Sequence, residues 1–107
     1  MDSPLEIAFH GLQGTPSLEA EIRDHVEKLE AHTRGLVSCR VTLEHTHGKG
    51  QPHGHIGVHI QLGLHGRELA ISHAPHHESE RRAHPDAHSA IRDAFKVATR
   101  QVLDAKG

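Results

Sequence analysis

The sequence predicts an α+β fold of two layers, in which a four-stranded mixed sheet carries two helices packed on one face. Apolar residues alternate in four short segments, as in half-buried strands, and recur every three or four residues in two longer segments, as in amphipathic helices. These segments follow one another in the order β-α-β-β-β-α. Each segment has a single apolar side, and two layers bury all of these sides in one core.

The first part of the pattern is a strand followed by a helix. Alternation of apolar residues over 5–10 predicts the strand. Thr15 and Pro16 predict the start of the helix, with Thr15 as the N-cap and Pro16 at the first helical position. The helix has one apolar stripe, formed by Leu18, Ile22, Val26 and Leu29. Gly35 predicts the end of this helix.

The middle of the chain predicts three further strands. Alternating apolar residues place them at 37–44, 55–64 and 68–72. A tight turn at 65–66 joins the last two. Residues 45–54 are rich in glycine and histidine, and we expect them to form a polar connection. These three strands should be antiparallel neighbours, whereas the first two strands are joined through a helix and should be parallel if adjacent.

The last helix carries two parallel stripes. Pro85 and Asp86 predict its start, because proline suits the first helical position and a carboxylate suits the first turn. Its apolar stripe comprises Ala87, Ile91, Ala94, Phe95, Ala98 and Val102. Arg92, Lys96 and Arg100 recur every four residues, which places three cations on one face. Such a row is either a solvated face or a surface that contacts phosphate groups.

Length and composition limit the class of protein. With 107 residues the chain is expected to form one domain, 1–107, with one core. The single cysteine, Cys39, falls on the apolar side of a strand, so we expect a core residue and not a nucleophile. No segment reaches the ~20 apolar residues of a membrane span, and the N-terminus lacks the features of a signal peptide. We expect a cytoplasmic protein with no cofactor and no enzymatic activity.

The charge balance of the chain depends on its histidines. The formal net charge is −2 with histidine neutral, whereas most nucleic-acid-binding domains are basic. The chain has 14 histidines. Near pH 6.5 about half of them, roughly seven, would be protonated, and the chain would then be cationic. The net charge therefore does not exclude RNA as a partner.

The order of the elements and both ends of the chain resemble the ribosome hibernation promoting factor family, also called sigma-54 modulation proteins or ribosome-associated inhibitors. The stretch LEIAFHG at 5–11 resembles the family's first strand and glycine, and Glu-Lys-Leu-Glu at 27–30 resembles the end of its first helix. The last helix matches the family's Asp–Ala–Ile–Ala–Gln pattern at Asp86, Ala90, Ile91, Ala94 and Gln101. The family usually has an aromatic residue where His88 stands.

This resemblance implies a fold and a partner. Family domains look like a double-stranded-RNA-binding domain. Family members bind the small ribosomal subunit near the decoding region, in the channel that tRNA and mRNA would occupy. The resemblance thus implies translation inhibition or ribosome hibernation under stress, with no membrane and no DNA as partner. The long form of the family has an extra dimerisation domain, and this chain resembles the short, single-domain form. Whether two copies form a homodimer stays open.

The expected contacts to rRNA phosphates are cations on the two helices. They are Lys28, Arg92, Lys96, Arg100 and Lys106. Phosphate contacts position a protein without reading base sequence, which suits the recognition of one structured RNA by its shape.

A histidine-rich metal-binding domain is the alternative function. Imidazole is a common ligand of zinc and nickel, and the candidate ligands are His53, His55, His73, His76 and His77. Their spacing matches no zinc framework. A third hypothesis is a pH switch, in which a fall in pH charges the histidines and strengthens binding to RNA.

Overall fold

The computed structural model describes residues 5–33, 35–48, 51–74 and 86–106, and its elements follow the predicted order. The elements are β1 (Glu6–His10), α1 (Pro16–His32), β2 (Leu36–Gly48), β3 (Gln51–Leu64), β4 (Arg67–His73) and α2 (Ala87–Lys106). The strands form one sheet in the order β1-β2-β3-β4. β1 runs parallel to β2, and the other neighbouring pairs are antiparallel. The predicted strand directions are confirmed.

Both helices cover the same face of the sheet. Their apolar stripes and the inward residues of β2, β3 and β4 form one continuous core cluster. Ile22, Ile60 and Ile91 are fully buried in it, and burial of a side chain of this size contributes about 1.5–3 kcal/mol. On the other face of the sheet Arg40 and Gln61 are exposed. The predicted two-layer α+β architecture is confirmed. Within the described ranges, neither helix combines the length and apolarity that a membrane crossing requires.

Helix α1 begins where the sequence predicts. The Thr15 hydroxyl accepts a hydrogen bond from the backbone N–H of Leu18 at 3.1 Å, and Pro16 is the first helical residue. At the other end the chain leaves the helix at Thr33, two residues before Gly35. The Gly35 backbone N–H donates to Thr33 Oγ1 at 3.2 Å. The predicted start is therefore confirmed, and the threonine, not the glycine, caps the end.

Replacement of Thr15 by alanine is expected to lower the free energy of unfolding by about 1 kcal/mol, because the Leu18 N–H loses its acceptor. Thr15→Ser keeps the hydroxyl, and we expect its stability to stay within about 0.5 kcal/mol of the wild type. Urea denaturation followed by far-ultraviolet circular dichroism measures both. Equal stability of the alanine variant and the wild type would show that this cap does not stabilise the protein.

Helix α2 begins at Ala87, so the prediction that Asp86 lies in the first helical turn is wrong. Asp86 precedes the helix, and its carboxylate accepts from the backbone N–H groups of His88 at 3.0 Å and Ser89 at 3.3 Å. The Ser89 hydroxyl also donates to it, at 3.0 Å. These hydrogen bonds lower the pKa of Asp86, and the bond from the Ser89 hydroxyl makes the largest contribution. A carboxylate at this position satisfies two N–H groups that the first turn leaves unpaired. Pro85 lies outside the described residues.

The polar connection predicted over 45–54 is also wrong, because β2 and β3 continue through it. β2 extends to Gly48, β3 begins at Gln51, and these two residues are paired. The register shifts between Thr46 and Gly48, and Gly54 lies opposite this irregularity with a φ of 72°. A Cβ atom at Gly54 would lie 2.5 Å from the Thr46 carbonyl oxygen, so the irregularity requires glycine. Backbone groups pair in a strand whether or not the side chains are apolar, which is why composition misled the prediction.

The far end of the β2–β3 hairpin projects beyond both neighbouring strands. β1 pairs with β2 only as far as Glu44, and β4 pairs with β3 only from Val58 onward. Within the described part of the chain, residues 45–48 and 51–56 therefore pair only with each other. We call these residues the distal hairpin.

Candidate nucleic-acid interface

A groove of about 330 Å³ lies between the two helices. We call it the interhelical groove. Its lining comes from both helices and comprises His25, Lys28 and His32 of α1 and Arg92, Phe95, Lys96 and Thr99 of α2. The helices bring these side chains together because both pack on one face of the sheet and contact each other.

Three of the five residues predicted to contact phosphate line the interhelical groove. Lys28, Arg92 and Lys96 are all exposed. Lys28 forms an ion pair with Asp24, one helical turn away, at 3.1 Å, and Arg92 donates a hydrogen bond to the Ser89 hydroxyl at 3.1 Å. Among the residues that the structure describes, neither Arg92 nor Lys96 forms an ion pair with a carboxylate. Their charges are therefore available to an anionic ligand.

The other two predicted contacts lie further along α2. Arg100 is exposed one turn beyond Lys96, outside the lining of the interhelical groove. It continues the row of cations along the helix. Lys106 is the last residue of α2, and its side chain lies outside the described part of the chain. The structure therefore brings together Lys28, Arg92 and Lys96, with Arg100 adjoining them.

Four further residues line the groove and were not among the predicted contacts: His25, His32, Phe95 and Thr99. A signal for two of them is present in the sequence. His25 and His32 flank Lys28 at spacings of three and four, so all three lie on one helical face. Spacing within one helix does not indicate which face of a second helix lies beside it, so the groove itself could not be predicted.

His25 forms a wall of the interhelical groove. Its ring stacks on the ring of Phe95, with the centroids 5.1 Å apart and 10° between the planes. Phe95 is only 3% exposed, so it holds the imidazole against the core. Burial is the largest cause that lowers the pKa of His25 below its ordinary value of 6.5. His25 is therefore predominantly neutral at pH 7.

His88 connects the N-terminal ends of the two helices. Its Nδ1 lies 2.9 Å from Glu21 Oε2, and its Nε2 lies 3.4 Å from the Ser17 hydroxyl. Both partners belong to α1, so a polar side chain of α2 bridges the helices beyond one end of the interhelical groove.

The metal-binding alternative gains no support from the described residues. Among them, no three histidine, cysteine or carboxylate side chains are placed to hold a metal ion. His55 lies on β3, and His73 on β4 has its Nε2 3.9 Å from an Asp93 carboxylate oxygen. The remaining candidates are His76 and His77, which lie outside the described residues, and His53, whose side chain does as well.

The cysteine is buried, as predicted. Cys39 is 3% exposed on the apolar side of β2. Burial, with a smaller contribution from Glu30, raises the pKa of the Cys39 thiol to about 12. The thiolate that acts as a nucleophile is therefore almost absent at neutral pH.

We expect iodoacetamide at pH 8 to alkylate Cys39 in the folded protein about a thousandfold more slowly than in the urea-unfolded chain, because a pKa of about 12 leaves little thiolate. Mass spectrometry of samples quenched over time measures both rates. Rapid alkylation of the folded protein would show that the thiol is accessible and that this part of the core opens readily.

The fold and the groove define a small α+β protein that presents cations from two adjacent helices on one surface. A family model described as sigma 54 modulation protein / S30EA ribosomal protein matches residues 5–107. The chain belongs to this family and is thus a ribosome-associated modulation protein. The resemblance noted in the sequence is confirmed.

Two of the solved structures that share the fold match this chain over nearly its whole length. The N-terminal domain of Protein Y from Thermus thermophilus superposes with a TM-score of 0.67 at 18% identity, covering 91% of each chain. A ribosomal subunit interface protein from Coxiella burnetii superposes with a TM-score of 0.72 at 10% identity, covering 95% of this chain and 96% of that one. At these identities the likeness establishes the fold alone. A comparison with curated proteins finds no match.

Proposed function

We propose that this protein binds the small ribosomal subunit through rRNA phosphates and inhibits translation by occupying the channel of tRNA and mRNA. The observation that carries the proposal is the convergence of Lys28, Arg92 and Lys96, from two helices, on one groove. Membership of the family, and the description of the Coxiella burnetii protein as a ribosomal subunit interface protein, support a ribosomal site.

The spacing of the cations suits an extended polyanion. Residues four apart on a helix are separated by about 6 Å along its axis, so Arg92, Lys96 and Arg100 span about 12 Å. A row of this length contacts several phosphates of a folded RNA. Lys28 adds a charge from the facing helix, so the contact surface has width as well as length.

The proposed mechanism is steric. Contacts to phosphates fix position and orientation without reading bases, so the surface recognises the shape of a folded rRNA. A protein held in the channel excludes tRNA and mRNA by its own volume, which requires no cofactor and no chemical step. We place the protein in the cytoplasm, with the ribosomes, and propose that it acts on idle ribosomes under stress.

Co-sedimentation with purified ribosomal subunits tests this function. We expect the protein to sediment with small subunits and not with large ones, and its affinity to fall as salt rises. With three to six phosphate contacts, the slope of log K against log salt is expected between roughly −2 and −5. Excess tRNA and mRNA should displace the protein. Equal binding to both subunits, or no binding at low salt, would contradict the proposal.

A further inference from the structure

A histidine lies among the cations of the interhelical groove. His25 lies one helical turn before Lys28 on α1, and its ring is fixed against Phe95 with 5.1 Å between the centroids. Arg92 and Lys96 line the same groove from the facing helix. The imidazole is therefore held in a fixed position beside three positive side chains.

The acidic groups that face His25 are already engaged by other side chains. Asp24 forms an ion pair with Lys28 at 3.1 Å, and the Glu21 carboxylate lies within hydrogen-bond distance of His88 Nδ1, at 2.9 Å. From its own helix, His25 is thus faced by Glu21, Asp24 and Lys28, and from α2 by Arg92 and Lys96. Burial, together with Lys28 and Arg92, outweighs the two carboxylates and keeps the imidazole neutral.

We propose that His25 is a further phosphate ligand of the interhelical groove and that it binds as the imidazolium, so that occupation of the groove takes up one proton. The proposal rests on the proposed function for the identity of its ligand, an RNA phosphate. An anion in the groove adds negative charge beside the imidazole and offsets the repulsion from the neighbouring cations. The protonated ring then donates an N–H to a phosphate oxygen.

A proton taken up on binding makes the affinity depend on pH. Because His25 is neutral in the free protein near pH 7 and protonated in the complex, binding tightens as the pH falls. A shift of one pKa unit between the free and bound states corresponds to a tenfold change in affinity. We therefore expect His25 to contribute about three- to tenfold tighter binding at pH 6 than at pH 8.

Three variants separate His25 from the other histidines. The wild type is expected to bind more tightly at pH 6 than at pH 8. His25→Gln has no titratable group at this position, so its ratio of affinities at the two pH values is expected to be about three- to tenfold smaller than that of the wild type. His25→Arg is charged at both values and is expected to bind more tightly than the wild type at pH 8. The matched control is His59→Gln on the opposite face of the sheet, where His59 contacts Ser72 at 2.9 Å. This control should show the same increase in affinity between pH 8 and pH 6 as the wild type.

Co-sedimentation with small ribosomal subunits at fixed salt measures these affinities, and circular dichroism checks that each variant is folded. A second measurement uses inorganic sulfate, whose charge does not change between pH 5 and pH 8. We expect sulfate to raise the pKa of His25. Nuclear magnetic resonance of the imidazole protons, recorded over a pH series, measures this pKa. The Arg92→Gln/Lys96→Gln variant should not show this rise.

The two measurements distinguish failure of this inference from failure of the proposed function. Salt-dependent binding with equal pH responses in the wild type and His25→Gln would overturn the role of His25 and leave the proposed function intact. A rise in the pKa of His25 with sulfate, without binding to subunits, would support an anion site and overturn the ribosomal function. If His25→Gln does not alter the pH response of binding and sulfate does not raise the pKa of His25, the inference is overturned outright.

Discussion

Replacement of Lys28, Arg92 and Lys96 together by glutamine is expected to weaken binding to small ribosomal subunits by at least about 100-fold at physiological salt. Hydrogen bonds to charged groups contribute about 1.5–3 kcal/mol each. The expected loss of binding free energy is smaller than the sum of three such bonds, because solvent screens these exposed side chains. The slope of log K against log salt should also become shallower by about two to three, since three phosphate contacts are lost. Co-sedimentation over a salt series measures both quantities.

The matched control removes the same number of charges elsewhere. Arg23, Arg40 and Arg67 are exposed and lie outside the interhelical groove, on α1, β2 and β4. Their joint replacement by glutamine changes the net charge equally. It also breaks the exposed Arg40–Glu6 ion pair, which costs at most about 1 kcal/mol of stability. We expect this variant to bind with nearly wild-type affinity. Equal losses in the two variants would show that net charge, and not the groove, determines binding.

Replacement of Phe95 by alanine is expected to lower the free energy of unfolding by about 3–5 kcal/mol. Phe95 is 3% exposed within the core cluster and stacks on His25, so the smaller side chain leaves a cavity beneath the groove. In a domain of this size each kcal/mol changes the melting temperature by about 4–8 °C, so we expect a fall of at least about 12 °C. Calorimetry and urea denaturation measure the change.

Two further variants test whether burial is the cause. Phe95→Leu keeps most of the apolar volume and is expected to cost less than about 1.5 kcal/mol. Phe9, the other phenylalanine, is only partly buried on the edge strand β1, so Phe9→Ala should cost less than Phe95→Ala. If the two alanine variants are equally stable, the core does not depend on Phe95 in the way that its burial indicates.

Most of the fold could be predicted because each element has its own periodic signal. Leu18, Ile22, Val26 and Leu29 are buried as their spacing predicts, and so are Ile91, Ala94, Phe95, Ala98 and Val102. The extent of β2 and β3 could not be predicted. The sequence pattern reports which side chains are apolar, whereas the pairing of the two strands depends on hydrogen bonds between backbone groups. Gly54 and its neighbours suggested a loop, although the glycine there permits an irregularity within a strand.

The candidate site could be predicted only in part. Arg92, Lys96 and Arg100 follow from a spacing of four on one helix, and their exposure agrees with that prediction. Lys28 was placed on the same surface through a resemblance, because nothing in its spacing relates it to Arg92, which lies 64 residues later in the chain. His25 was missed for the same reason. Its position depends on the stacking contact with Phe95, a tertiary interaction between distant parts of the chain.

The distal hairpin has a consequence for how the domain tolerates change. In the part of the chain that the structure describes, no strand flanks residues 45–48 and 51–56, so this end of the sheet frays at a lower free energy than the centre. Its amide hydrogens should exchange with solvent well before those of the central strands. Substitutions at its exposed positions act on this local equilibrium and leave global unfolding almost unaffected. An exposed position such as His47 therefore accepts histidine where a sheet centre requires valine or isoleucine, whereas Gly54 is fixed by its φ of 72° and Ile56 by its place in the core cluster.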